Sequence, residues 1–311
     1  MNNEKTKTLA LESGALIDEK EFMKQNRIPS MFEVIWKEIR RDPFALICLI
    51  TLIGMILVAV IWGRMIDEAY IQRVHVMRMN LSPSEFGPLG TDDGGRPMLQ
   101  MLVVSFRNSM QLSFMVTIPI IIIGTIVGLV IGYYGSYVDL IVMRIIDFVI
   151  MVPGMMVIAV FSRALPRWGV MEFALVMIIL NWFGGSRGLR AIVLQEASKD
   201  YIMAAKTLGT PNIVIIFRKI FPNVLSFITI NGILTLAGMI GFETGLTVIG
   251  FGLPIGVPSI GRLIALAMNP IVLSNRLWQW VPPVVIIFVW SICILGVLSA
   301  VSRAVNPRQR R

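Results

Sequence analysis

Apolar residues run almost without interruption over residues 44–63, 112–134, 140–161, 170–189, 224–250 and 281–302, and polar residues collect between these runs. A helix crosses the hydrocarbon core of a bilayer in about twenty residues, so the pattern predicts an all-α membrane protein with six transmembrane helices. An even number of crossings puts both ends of the chain on one side. The fourth run is diluted by Asn181, Gly184, Gly185 and Ser186, small residues of the kind found where membrane helices pack closely. Ahead of the first run, Met31, Phe32, Ile35, Trp36 and Ile39 recur at helical spacing while Lys37, Arg40 and Arg41 face elsewhere. This describes a short amphipathic helix at the lipid surface that turns into the bilayer at Pro43.

The chain therefore divides into a mobile cytoplasmic tail over 1–30, an interfacial helix over 31–43, a first transmembrane helix over 44–64 and an extracytoplasmic loop over 65–101. A five-helix core over 102–302 follows, carrying a cytoplasmic loop at 190–221, and a basic tail ends the chain at 303–311. Orientation comes from Lys and Arg, which favour the cytoplasmic side of short connections. With both termini inside, 19 of the 28 basic residues and every lysine lie on the cytoplasmic side. Both termini are thus expected in the cytoplasm.

Composition narrows the function classes. Of 311 residues 56% are hydrophobic and 15% charged, with a mean hydropathy of +0.76, which is far from a soluble domain. The net charge of +9 does not indicate nucleic acid, because the basic residues sit between apolar runs rather than in one patch. Cys48 and Cys293 lie inside apolar runs and His75 has no Cys or His partner near it in sequence, so no metal site is expected. Lys5 and Lys7 could open a secretory signal, but Glu12, Asp18 and Glu19 interrupt its apolar core.

Two connections are long enough to do more than turn the chain. The outer one, 67–101, holds Pro83, Pro88, Pro97 and several glycines, which predicts a folded loop with short helices at most. In the inner one, residues 200–209 read as a short helix that stops at Gly209, and Thr210 and Pro211 restart a helix as N-cap and first-turn residue. Two short helices meeting at an angle form a knob. Ala204 and Ala205 give it a flat face for close approach, and Gly209 supplies the left-handed turn. Spacing alone also fits an ordinary surface helix with a glycine cap.

The run Tyr201-Ile202-Met203-Ala204-Ala205-Lys206-Thr207-Leu208-Gly209, followed by Lys219-Ile220-Phe221-Pro222, resembles the "EAA" loop of the permease subunits of bacterial ABC importers, E-A-A, three residues, G, then I-x-L-P. Met203 stands for the glutamate, Lys219 for the isoleucine and Phe221 for the leucine. Pro88-Leu89-Gly90-Thr91-Asp92-Asp93-Gly94-Gly95-Arg96 resembles the P-L-G-T-D-x-x-G-R segment of the oligopeptide, dipeptide and nickel permeases, specifically their second, C-type subunit. Residues 246–252 and 258–263 are similar to that family's L-S-F-L-G-L-G and P-S-W-G-x-x-L, with Ile260 in place of the tryptophan.

The resemblance implies a type I ABC importer permease fold in a bacterial cell membrane. It further implies a second homologous permease, one or two ATPase subunits that receive the loop, and an extracytoplasmic solute-binding protein. The coupling loop would then act through Asp200, Met203, Ala204, Ala205, Gly209, Arg218 and Pro222. This chain has no G-x-x-x-x-G-K-[ST] phosphate loop, so it is expected to be no enzyme, with ATP and magnesium held by the partner ATPases. Import of short peptides is the leading function. Nickel or a nickel chelate is the nearest alternative, and an ion-gradient transporter is the rival class, though neither repeated halves nor a second midspan acid supports it.

Some charged residues stay open to two readings. Glu243 lies mid-run and must face protein or water, either as a pathway or gate carboxylate or as a packing residue. Arg144 and Asp147 are spaced to pair on one helix. Asp92, Asp93 and Arg96 either touch the binding protein or, the favoured reading, staple a local turn. The 20 methionines fit a pliable peptide pathway or, more often, plain membrane-helix filler.

Overall fold

The computed structural model describes residues 31–165, 167–254 and 256–305. The tail over 1–30, residues 306–311 and the side chains of Met31 and Phe32 lie outside the described residues. The described chain is helical throughout its core. In chain order it runs α1 Met31–Arg41, α2 Pro43–Met65, α3 Glu68–Ile71, α4 Met98–Tyr134, α5 Ser136–Met151, α6 Gly154–Ala164, α7 Val170–Ala197, α8 Asp200–Thr207, α9 Asn212–Val248, α10 Ile260–Ala265, α11 Pro270–Asn275 and α12 Leu277–Val305. Five helices are long and apolar enough to cross a membrane, and α5 with α6 makes a sixth if the bent pair counts as one span.

The third apolar run is thus not one straight helix. α5 and α6 meet at 73°, because Pro153 cannot donate into the helix and pushes Val152 to an extended conformation, φ −80° and ψ 123°. Other boundaries also move, α9 among them, which begins at Asn212, twelve residues ahead of its apolar run. α4 begins at Met98, fourteen residues ahead of its apolar run, and α7 continues to Ala197, so residues 190–197 of the inner loop are helix. At the start of α2 the sequence signal is Asp42 before Pro43: the Asp42 carboxylate accepts from the amides of Phe44 (3.0 Å) and Ala45 (3.3 Å), closing the helix N-terminus.

α4 is the axis of the molecule, and three apolar cores are stacked along it. Met98 to Met110 pack with Trp290, Ile294 and Ile260 at one end. Leu112 to Ile120 pack with Phe173, Met177 and Leu246 in the middle. Leu129 and Tyr133 pack with Leu189, Val193, Ile202 and Ile215 at the other end. The first end carries residues 66–97 and is called the cap end; the second carries α8 and is called the loop end.

α4 and α7 approach closely because Gly124, Gly128 and Gly132 fall on one face of α4, four residues apart. A Cβ at Gly128 would sit 2.9 Å from Leu189 Cβ, and one at Gly132 would sit 2.6 Å from Val193 Cβ. Small residues at this spacing let backbones meet where lipid supplies no hydrophobic drive between helices. Asp139 of α5 pairs with Arg190 of α7, and Asp147 pairs with Arg187. The expected Arg144–Asp147 pair is therefore not formed: Asp147 turns to the neighbouring helix.

α1 is amphipathic as read, but its apolar face also meets protein. Ile39 is buried with Ala45 of α2 and Ala300 of α12, Ile35 packs beside it, and Trp36 stays exposed. Glu38 and Asp42 both face Arg303 of α12, which brings the two described ends of the chain together at the loop end. Along the bundle's flanks Ile47, Ile50, Ile122, Ile141, Phe148, Ile179 and Phe288 are exposed, a surface that only lipid or another apolar subunit can cover.

Candidate functional site

At the loop end α8 stops in a glycine turn with both of its hydrogen bonds made. The Gly209 amide donates to the Lys206 carbonyl (3.0 Å) and the Thr210 amide to the Ala205 carbonyl (3.1 Å), with Gly209 at φ +73°. This is the left-handed helix end that glycine favours. Pro211, at φ −58° and ψ 138°, takes the cap position, and α9 begins at Asn212. Thr210 is thus not the N-cap that the sequence suggested: the first helical carbonyl is that of Pro211, which accepts from the amides of Val214 (2.9 Å) and Ile215 (3.1 Å). Within its first turns α9 widens into a π-helical stretch, Ile215–Ile220, before it enters the bundle.

The two alanines separate. Ala205 is buried with Ile202, Ile215, Ile216 and Ile220 in the loop-end core, while Ala204 is exposed. Only one of the expected pair is therefore available for close approach: a helix face one residue wide cannot present both. The exposed side of the knob carries Met203 (55% exposed), Leu208 (84%), Ile213 and Phe217, with Asp200, Arg218 and Pro222 exposed around them. Leu208, Ile213 and Phe217 escaped the sequence reading, although apolar residues off the buried periodicity of a polar loop are the signal that finds them.

A buried carboxylate that the sequence reading also passed over fastens this knob. Glu196, at the end of α7, accepts from the Tyr201 hydroxyl of α8 and from Asn223 Nδ2 of α9 (2.9 Å), and pairs with Lys199 Nζ at 2.6 Å. Burial and the neighbouring Glu196 raise the Tyr201 phenol above its ordinary value, so it remains a donor. A second tie runs from α4, where the Tyr133 hydroxyl donates to Asn212 Oδ1 (2.7 Å) and Lys206 lies over the Tyr133 ring. Glu196→Ala removes the acceptor of the Tyr201 hydroxyl and one of three acceptors of Asn223 Nδ2, both on exposed residues, at about 0.5–1.5 kcal/mol per hydrogen bond lost. It is expected to lower the retention of the α8 fold, read as protection of the 200–209 segment from proteolysis, more than Tyr201→Phe does. Equal retention by both variants would show that Glu196 does not hold the knob.

At the cap end the segment around residues 88–96 is a staple. Asp92, 1% exposed, accepts from the amides of Gly94 (2.9 Å) and Arg96 (2.8 Å) and from Arg96 Nε (2.7 Å). The Thr91 carbonyl accepts from Gln279 Nε2 (3.0 Å) of α12, and Asn80 binds Arg276, which bolts the segment to the bundle. Gly90 and Gly95 hold positive φ and lie against the backbone of Leu81 and His75. Asp92 and Arg96 are thus occupied locally, and of the three candidate contact residues Asp93 has the most exposed side chain, at 60%.

Glu243 points into the protein, 1% exposed. Ser109 Oγ of α4 donates to it at 3.1 Å and Thr247 Oγ1 at 2.7 Å, while the Ile260 amide of α10 donates to Ser109 Oγ at 3.1 Å. Gly261 lets α10 lie against α9, since a Cβ there would sit 2.8 Å from Thr244 Cα. These bonds join α4, α9 and α10 around Glu243, which lines no open surface in this conformation.

An apolar bundle with an exposed apolar knob at one end and a polar, loop-built cap at the other defines a helical membrane protein with surface left for a partner. Residues 121–311 match the family described as binding-protein-dependent transport system inner membrane component. The chain is 38% identical over 281 residues to the oligopeptide transport system permease protein OppC of Lactococcus lactis subsp. cremoris (strain SK11), covering 90% of this chain and 96% of the relative. It is 28% identical over 278 residues to the dipeptide transport system permease protein DppC of Bacillus subtilis (strain 168), covering 89% and 85%. The oligopeptide transport system permease protein AmiD of Streptococcus pneumoniae (strain ATCC BAA-255 / R6) is 26% identical over 285 residues, covering 91% of each chain. This chain belongs to the family of binding-protein-dependent transport system inner membrane components: it is a non-catalytic, multi-pass permease subunit of a bacterial inner membrane. Such a subunit works with an ATPase, a solute-binding protein and a second permease.

Proposed function

We propose that this chain forms one half of the translocation pathway of an ATP-driven importer of short peptides, with a homologous permease as the other half. Its termini and the loop end lie in the cytoplasm, where one or two ATPase subunits, holding ATP and magnesium, receive the α8 knob. The observation that carries this reading is the knob itself: Met203, Leu208, Ile213 and Phe217 are exposed apolar residues on a stiff, hydrogen-bonded turn beyond the spans. Such a patch on a polar loop marks a protein contact. Asp200, Ala204, Arg218 and Pro222 stand around it as the rim of that contact.

The similarity to permeases named for oligopeptides and dipeptides supports peptide over nickel as the cargo. In reconstituted vesicles, the full complex with its binding protein is expected to accumulate labelled peptide only with ATP supplied on the side of the knob. Accumulation driven by an ion gradient without ATP, or of nickel and not peptide, would replace this function with one of its rivals.

A further inference from the structure

Two guanidinium groups at the cap end face one cavity. Arg163, at the end of α6, and Arg262, on α10, line one cavity of about 420 Å³ together with Thr247, Gly250 and Leu253, and no carboxylate is among its lining residues. Neither side chain makes an ion pair among the described residues; Arg163 lies 5.8 Å from the Phe251 ring. The nearest acid along α9, Glu243, is enclosed by its own partners.

The cavity wall is rigid. After α9 the chain turns back through Gly250 at φ +88°, the Phe251 amide donates to the Leu246 carbonyl (2.9 Å), and Trp168 Nε1 donates to the Gly252 carbonyl (3.1 Å). Arg262 is carried on a helix capped by Ser259, whose hydroxyl accepts from the Arg262 amide. A second cavity of about 310 Å³ shares Arg262 and Leu266 and runs to Asp93 and Arg96. The two make a trough with cationic groups at one end and a largely exposed carboxylate, 3.6 Å from Arg96, toward the other. Two guanidinium groups lining one concavity of this size suit a carboxylate, which such groups hold by charge-assisted hydrogen bonds.

Resting on the peptide-import reading above, we propose that Arg163 and Arg262 form a carboxylate subsite that takes the C-terminal carboxylate of the peptide as it enters the pathway. The trough toward Asp93 accommodates the rest of the chain and its ammonium end.

The test uses the whole importer, with the second permease, ATPase and unaltered binding protein, in vesicles. Uptake of a labelled short peptide is compared with uptake of the same peptide as its C-terminal amide. Arg163→Gln with Arg262→Gln is expected to lower the acid-to-amide uptake ratio about tenfold, the factor carried by about 1.4 kcal/mol, with amide uptake unchanged. Arg163→Lys with Arg262→Lys, which keeps the charge, is expected to retain most of the ratio. An unchanged ratio, or a parallel loss of both peptides, overturns the subsite. A loss seen with phosphatidylglycerol in the vesicles and absent in phosphatidylcholine alone also overturns it, assigning the arginines to a lipid phosphate. If the unsubstituted complex hydrolyses ATP but imports neither peptide, the peptide reading itself falls.

Discussion

Replacing Gly209 with valine is expected to cut ATP-driven uptake about tenfold or more, with the permease still inserted and assembled with its partner permease. The reason is conformational rather than steric. Nothing lies within 4 Å of a Cβ at this position, so space is open, but φ is +73°, where a β-branched residue is a backbone outlier. Holding a non-glycine residue in the left-handed region costs about 1–2 kcal/mol, and about 1.4 kcal/mol is a tenfold change in an equilibrium. Relaxing that strain breaks the bonds from Gly209 to Lys206 and from Thr210 to Ala205 and re-aims Leu208 and Ile213. Gly209→Asn is expected to keep most of the activity, because asparagine tolerates the same conformation. The measurements are peptide uptake and ATPase copurification; if valine leaves both at the unsubstituted level, the knob is not the coupling element.

The second large effect is expected inside the bundle, at Gly132. Alanine there places a Cβ 2.6 Å from Val193 Cβ, 2.7 Å from its Cγ1 and 3.0 Å from the Arg190 carbonyl, none of which is the loose end of a long side chain. Overpacking of this kind costs about 1–3 kcal/mol, and the shift propagates because Arg190 holds α5 through Asp139. Gly132→Ala should therefore lower the melting temperature of the detergent-solubilised protein. Gly238→Ala on α9, where nothing lies within 4 Å, should leave it unchanged or slightly higher, alanine favouring helix by about 0.5–1 kcal/mol. Equal melting temperatures for the two variants would show that the α4–α7 contact is not close-packed.

The apolar runs were legible as spans because lipid demands a continuous apolar surface, and that demand is written residue by residue. Helix extent was less legible. Residues 98–111 of α4 include Ser105, Arg107, Asn108, Ser109 and Gln111, which hydropathy reads as loop; they are helical because Ser109 and Asn108 find partners in Glu243 and Pro258 and Arg107 reaches the Gly63 carbonyl and Glu68. The bend before Gly154 is signalled by Pro153 inside an apolar run, a break that apolarity alone does not register. In the knob, Gly209 was readable from its spacing, whereas the burial of Ala205 beside an exposed Ala204 depends on which face of α8 meets α7. Glu196 could not be read as a fastener, since its partners Tyr201 and Asn223 lie on two other helices. The glycine ladder of α4 was visible at its four-residue spacing and marks the partner face without naming α7.

The break between α5 and α6 decides what kind of medium touches that side of the bundle. Where a helix stops, its last carbonyls lose the amides that would have bonded them, and here the stop falls within an apolar stretch. Beside it is a hollow of about 460 Å³ lined by Val149, Gly154, Asn181, Gly184 and Phe242, with the exposed Met155 also in its wall. Hydrocarbon cannot satisfy free carbonyls, so irregular backbone at membrane depth survives only against protein or water. The flank at Pro153 is a place where the oil must end.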